Sequence, residues 1–399
     1  MSRTNGLRKE LQEPRRKRVV KNPFPWYAPR FWHGMRAGTW FSYLAKNRFS
    51  ISPSRVPMSL AISAFSFANS AMAAADSLLF SRQVNEVKFE QPPLFILGHW
   101  RSGTTFLHEL LIRDPRHNYP TTYQCFAPHH FLLSEKLLTP WTEFLLPGRR
   151  PMDNMAAGWR RPQEDEFALE NLGVPTPYAS MMFPNHGEVF RDYLTLENVS
   201  ETKRTAWKQE LKRFFQRIAL RDPRRLVVKS PAHTARVATL LELFPDAKFV
   251  HITRDPAELF VSTVQLWRSL NAVQGIHLPK DESWVEEYVL DSFERMYAAF
   301  AKDREQLSER QLVEVRYEEL ASNPKTELQR IYDQLELGGF AAAEEPVDAY
   351  LEQIKNYRPN RHEIDDSLRT RLRERWGWYY EEYGYGEQGQ VAGELRLAR

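Results

Sequence analysis

The sequence predicts an α/β fold: a phosphate-loop-like parallel sheet flanked by helices, preceded by a helical N-terminal extension and interrupted by a long insertion. Three observations carry that prediction. Four short apolar or β-branched runs, Leu94–Leu97, Leu226–Lys229, Lys248–Thr253 and Leu312–Arg316, are each followed by helical periodicity, over Thr104–Ile112, Thr234–Phe244, Ala257–Leu270 and Tyr317–Leu335 respectively, and strands alternating with helices pair in parallel through crossover helices. The first run passes into its helix through a turn bracketed by Gly98 and Gly103, the kind of strand-to-helix turn whose backbone N–H groups hold anions. The 399 residues, 42% of them hydrophobic and 27% charged, suffice for one large core or two domains.

Taken in order, residues 1–22 carry eight Lys/Arg, including Arg15–Arg18, with no apolar segment behind them. This predicts a basic disordered tail rather than a signal peptide. Residues 23–90 form the extension: an aromatic block from Asn22 to Met35, then the helix-like stretch Pro57–Phe80. That stretch has the length of a membrane span, but five serines, Asn69 and Asp76 favour a buried or surface-seated helix. Residues 91–399 form the main domain. Within it, 115–225 is an insertion on the acceptor side, partly loop and partly an amphipathic helix with Trp207, Leu211, Phe214 and Ile218 on one face.

The turn Gly98-His-Trp-Arg-Ser-Gly103-Thr104-Thr105 has the spacing of a nucleotide-binding loop, but Thr104 occupies the position where a nucleoside triphosphatase places lysine. The cation sits earlier, at Arg101, whose guanidinium can fork onto phosphate or sulfate and never deprotonates. A simpler reading makes Ser102 the cap of an ordinary helix start. Further on, Lys229 ends one apolar run, and Arg254 ends the next, with Ser262 eight residues later. An arginine at a strand end and a serine two turns into the following helix form a second anion grip, which implies a ligand with two separate phosphates.

From Leu94 to Tyr385 the chain resembles the sulfotransferases that use 3′-phosphoadenosine 5′-phosphosulfate (PAPS). The resemblance rests on "HWRSGTT", with Trp100 where proline is common, on the Arg254/Ser262 pair, and on "KSP", "RDP" and "VRYEELASNP". The arginine in the loop and the "KSP" strand end resemble the bacterial and Golgi-type branches. The resemblance implies PAPS as donor, no metal, a 5′-phosphosulfate site at Trp100, Arg101, Ser102, Gly103, Thr104 and Thr105, and a 3′-phosphate site at Arg254 and Ser262. It does not name the acceptor. Arg358 and Arg361, in the basic and aromatic segment Lys355–Ile364, are expected to close over the 3′-phosphate and adenine.

In-line transfer to a hydroxyl or amine needs charge neutralisation on the leaving phosphate, a cation near the sulfonate and a base. Arg101, helped by Thr104 and Thr105, is expected at the leaving oxygen, and Lys229 at the sulfonate. Where relatives often have a glutamate after the second strand, this chain offers Gln124 and no carboxylate. The base is therefore sought at the acidic run Glu164, Asp165, Glu166, with Asp165 and Glu164 ranked first and His233 next. Adjacent acids raise one another's pKa, and on a helix the three point in different directions. The competing reading is a set of acids that merely favour a helix dipole.

Two other functions compete. A degenerate nucleotide kinase or triphosphatase needs a lysine near Gly103 and a magnesium carboxylate. A non-catalytic nucleotide-binding scaffold has no need of Arg101, Lys229 and the acids together. The aromatic and methionine content of the insertion, as in Tyr178–Pro184, points to a small-molecule or lipid-like acceptor. A formal net charge of +4 gives no reason to expect nucleic acid. The single cysteine, Cys125, rules out an internal disulfide and a zinc cluster and fits a cytoplasmic protein, with contact at a membrane periphery left open. Oligomeric state is not readable.

Overall fold

In a computed structural model, residues 25, 27–148, 157–355 and 364–386 are described. The expected tail 1–22 and the pair Arg358 and Arg361 lie outside them. The strands are β1 (Leu94–Leu97), β2 (His117–Asn118), β3 (Arg225–Lys229), β4 (Lys248–Thr253) and β5 (Leu312–Arg316). They form one sheet in the order β2-β3-β1-β4-β5, with every pair parallel. Central β1 pairs with β3 on one side, Leu94 opposite Val227, and with β4 on the other, Leu94 opposite Lys248. Buried on both faces, β1 and β3 read as continuous apolar runs rather than alternating ones.

The helices, in chain order, begin with α1 (Ala37–Lys46) and α2 (Val56–Glu86) in the extension, followed by α3 (Thr104–Leu111), α4 (Thr122–Phe126), α5 (Phe131–Thr142), α6 (Asp165–Leu172) and α7 (Glu201–Arg221). Then come α8 (Val237–Leu243), α9 (Pro256–Gln274), α10 (Trp284–Arg304), α11 (Tyr317–Ser322), α12 (Pro324–Gln334), α13 (Ala341–Ile354) and α14 (Asp366–Glu382). Trp207, Leu211, Phe214 and Ile218 all point inward from α7, as their spacing predicts.

Three boundaries differ from the sequence reading. The insertion holds the edge strand β2, whose two residues are too few to show a period. The helix expected from Thr234 begins only at Val237, because Pro231–Ala235 first winds as a tighter 3-10 turn. The single helix expected over Tyr317–Leu335 breaks into α11 and α12 at Asn323, whose φ of −137° and ψ of 61° reflect the bar that a following proline places on the helical region.

The extension shares the core. Trp32, Trp40 and Ile62 are fully buried with Phe95 of β1 and Trp376 of α14 in one apolar cluster. It also closes the end of α9. The final carbonyls of that helix accept from Arg55 Nη2 (Ala272, 2.6 Å), Arg30 Nε (Val273, 2.8 Å) and Trp32 Nε1 (Gln274, 2.7 Å). A helix end leaves its last carbonyls without internal partners, and cations there also suit the dipole. The 31-residue α2 is long and apolar enough to cross a membrane by length and composition.

Candidate active site

The carboxyl ends of β1, β3 and β4 converge, and in such sheets ligands bind there. After β1, the chain makes the glycine-bracketed turn. Gly98 has φ 141° and Gly103 φ 106°, and a Cβ on Gly98 would stand 2.6 Å from both the Ile252 carbonyl and Ser102 Oγ. Only glycine takes that backbone without strain. A Cβ on Gly103 would collide with the Tyr317 ring.

Gly103, not Ser102, is the N-cap of α3, and no side chain caps the helix. The expectation of a Ser102 cap fails because the left-handed turn buries the serine: its Oγ has no partner among the described residues. Ser230 Oγ, just after β3, is likewise buried and unpaired. Gly98 N donates to Thr234 Oγ1 at 2.7 Å, which pins the turn to the segment following β3. Thr104 and Thr105 open α3.

The two expected anion grips are joined rather than separate. Arg101, itself at φ 70°, donates from Nε to Ser262 Oγ at 2.9 Å, and Arg254 Nη1 donates to the Arg101 carbonyl at 3.0 Å. Arg101 thus reaches from the turn toward the second grip instead of folding over the turn, because β1 and β4 are direct neighbours. The Arg254 guanidinium lies 4.6 Å from the centre of the Tyr317 ring. Asp255 is occupied as the cap of α9, accepting from Ala257 N and Glu258 N at 3.0 Å each.

The acidic run does point three ways, each acid to its own base. Glu164, the N-cap of α6, pairs with Lys229. Asp165 Oδ2 meets His233 Nε2 at 2.8 Å, and Glu166 grips Arg236 in bidentate fashion at 2.7 and 2.9 Å. The last two pairs are fully enclosed, whereas the Glu164 side chain keeps 14% of its surface. Asp165 and His233, ranked as bases, therefore face each other in the interior. They hold α6 against the segment after β3 and have no solvent path to an acceptor. Glu164 alone of the three keeps some exposure, beside a Lys229 that is nearly enclosed.

A directed chain of hydrogen bonds ties this pair back to the turn. Trp100 Nε1 donates to Tyr178 OH at 2.8 Å, and that hydroxyl donates to Glu164 Oε2 at 2.5 Å. Burial, and then the Glu164 carboxylate beside it, hold the Tyr178 phenol well above its usual range, so it stays a donor. His99 is pushed down to about 3 by burial and is neutral. Gln124 serves a capping box with Thr121.

Tyr178, beside Glu164, and Arg236, which anchors Glu166 in the interior, were not singled out from the sequence. Tyr178 lies in an aromatic stretch that reads as acceptor lining. The 229, 233, 236 spacing of three basic residues against three consecutive acids was the available signal for Arg236.

The chain is 37% identical over 373 residues to the omega-hydroxy-beta-dihydromenaquinone-9 sulfotransferases Stf3 of Mycobacterium bovis and Mycobacterium tuberculosis, covering 94% of this chain and 95% of theirs. Among solved structures, the sulfotransferase STF9 of Mycobacterium avium superposes with a TM-score of 0.61 at 17% identity, over 88% of this chain and 96% of its own. STF1 of Mycobacterium tuberculosis gives 0.55 at 18% identity, over 78% and 85%. These two share the fold. Residues 92–341 match a family model described as the sulfotransferase family, and with the curated relatives this establishes that the chain is an enzyme belonging to the sulfotransferase family.

Proposed function

We propose that the enzyme transfers a sulfuryl group from PAPS to a hydroxyl on a lipid-like or small-molecule acceptor, with Glu164 as the base. The observation that carries this is the Glu164–Lys229 pair, set at the carboxyl end of β3 and wired through Tyr178 and Trp100 to the anion-binding turn. The residues fit the donor: a glycine cradle with no room for a Cβ at Gly98 or Gly103, and the enclosed, unpaired hydroxyls of Ser102 and Ser230 beside it.

PAPS supplies the sulfuryl group, whose bond to the 5′-phosphate oxygen breaks as sulfur bonds to the acceptor oxygen. The turn's backbone N–H groups, with Ser102, Thr104 and Thr105, would hold the 5′ end. Arg254 and Ser262 would hold the 3′-phosphate, and Arg101, bonded to Ser262, would add charge between the two. Glu164 takes the acceptor proton at the oxygen that Lys229 now occupies. Tyr178 keeps the carboxylate oriented, and Lys229, released, is free to turn its ammonium to the sulfonate. Preorganised charge and a positioned base of this kind account for large accelerations.

A hydroxylated apolar acceptor is supported by the curated relatives, whose name specifies an omega-hydroxy menaquinone derivative. The test is transfer of radiolabelled sulfate from PAPS to hydroxylated quinone and isoprenoid acceptors. It is paired with thermal denaturation in adenosine 3′,5′-bisphosphate, 5′-ADP, and ATP with magnesium. Only the 3′,5′-bisphosphate should raise the midpoint, by about 2.7 kcal/mol of stability at ~100 times its dissociation constant. Stabilisation by ATP with magnesium alone would defeat the proposal.

A further inference from the structure

Helix α2 is inside out. Its inward face is largely polar: Ser59, Ser66, Asn69 and Asp76 are buried there, with Ile62 and Val84 the two apolar side chains it gives to the core. Asn69 Nδ2 donates to the His33 carbonyl at 2.7 Å and the Met35 carbonyl at 3.0 Å. Asp76 takes Arg217 Nη2 at 2.7 Å and Leu133 N at 3.1 Å. Its outward face is apolar: Leu60, Phe65, Phe67, Leu78 and Leu79 are exposed, Leu78 to 87%. Between Arg55 and Arg82 the only charged residue is the buried Asp76. A helix bathed in water shows the opposite arrangement.

The neighbouring α5 packs against α2. It adds Leu137 and Trp141, and Phe144 follows it, with Trp141 76% and Phe144 74% exposed. An isolated exposed leucine needs no explanation, but two packed helices that both turn bulky apolar side chains outward mark an interaction surface.

Charge identifies the occupant. The first 75 residues contain thirteen Lys/Arg and two acidic residues, and the remaining 324 contain forty-two and forty-nine. The chain's small net charge thus hides a strongly basic extension joined to an acidic body. Exposed Arg36, Lys46 and Arg48 precede the apolar stretch in the chain, and exposed Arg82, paired with Glu86, follows it. An uncharged apolar face bordered by cations and tryptophan matches the boundary between acyl chains and anionic headgroups. A second copy of the chain would set two such cationic segments against each other. A spanning orientation would break the Asp76–Arg217 pair and the Asn69 bonds that seat the helix.

We propose that α2 and α5 dock the protein on an anionic lipid bilayer, with α2 lying in the plane of the interface. The inference stands on the extension and the neighbouring α5 and does not depend on which acceptor the active site takes. It is tested by co-sedimenting the full chain with vesicles of phosphatidylcholine, with or without phosphatidylglycerol, at low and high salt. Partitioning should be about tenfold or more stronger with phosphatidylglycerol and should weaken in salt. The doubly substituted Leu78→Glu/Leu79→Glu chain should lose about tenfold or more while keeping its circular dichroism and melting midpoint, since both positions are exposed. Equal binding to neutral vesicles, unchanged binding of that variant, or a parent dimer in lipid-free buffer that the substitutions split without any vesicle binding would each overturn the proposal.

Discussion

Replacing Glu164 with glutamine separates chemistry from architecture. The amide keeps the shape and one acceptor oxygen for Tyr178, but it removes the charge facing Lys229. Lys229 keeps only 4% of its side-chain surface and Glu164 14%, so the variant leaves an ammonium largely enclosed without a counter-charge. Breaking a fully buried pair costs about 3–5 kcal/mol, and the opening at Glu164 lowers the expected loss to about 2 kcal/mol. Turnover should fall by about 10²–10⁴, the usual contribution of a positioned base. Affinity for adenosine 3′,5′-bisphosphate should change little, because Arg254 and Ser262 are untouched. Adding Lys229→Met should then restore stability, since removing both charges of a buried pair is often neutral, while turnover stays low. Urea unfolding, calorimetric titration of the bisphosphate and single-turnover transfer from labelled PAPS read the three quantities separately. Turnover of Glu164→Gln within twofold of the parent would refute Glu164 as the base. Stability unchanged in both variants would refute the ion pair.

Ser262→Ala should weaken the 3′,5′-bisphosphate more than 5′-ADP. Because Ser262 holds Arg101 at 2.9 Å, its effect and that of Arg101→Ala should be non-additive by about 0.5–3 kcal/mol in a titration cycle. Gly103→Ala forces a side chain into φ 106° and against Tyr317. It should cost on the order of 1–3 kcal/mol and impair nucleotide binding, as read by melting with and without the bisphosphate. Burial pushes the Glu170 carboxyl up to about 7, so between pH ~4.5 and ~7 the folded chain holds a proton that the unfolded chain has lost. That contribution, on the order of 3 kcal/mol, fades as pH rises through the window, and Glu170→Gln should flatten this part of the unfolding profile. His99, His108 and His129 are each driven down to about 3 by burial. Stability should therefore fall as acid protonates them in the unfolded chain below pH ~6.5, in Glu170→Gln as in the parent.

Where function meets the backbone, the sequence was informative. Lys248–Thr253 and Leu312–Arg316 are strands residue for residue, because short apolar runs with polar flanks leave little choice of ends. The Gly98–Thr105 turn was legible because its glycines sit where no other residue fits. The partition of the acids was not legible. Which of Glu164, Asp165 and Glu166 faces the opening depends on Lys229, His233 and Arg236 arriving from some 65 to 70 positions away, and local patterns do not record that register. The contact between Arg101 and Ser262 was hidden for the same reason, since it needs β1 and β4 to be neighbours. In α2 the composition gave the helix and its polar residues spoke against a span, but which face they occupy was not legible, and only the fold turns Ser59, Ser66, Asn69 and Asp76 inward.

Arg30, Trp32 and Arg55 terminate α9, the helix that carries Ser262, although all three precede the 92–341 segment that defines the family. The family boundary is therefore not a place to cut. A chimera that borrowed the extension of another sulfotransferase would have to bring three donors matched to these carbonyls, or accept a frayed helix end about three turns beyond Ser262. The two parts are thus coupled through main-chain carbonyls, and substitutions of Arg30, Trp32 or Arg55 should be felt at the tip of α9, more than 200 positions later in the chain.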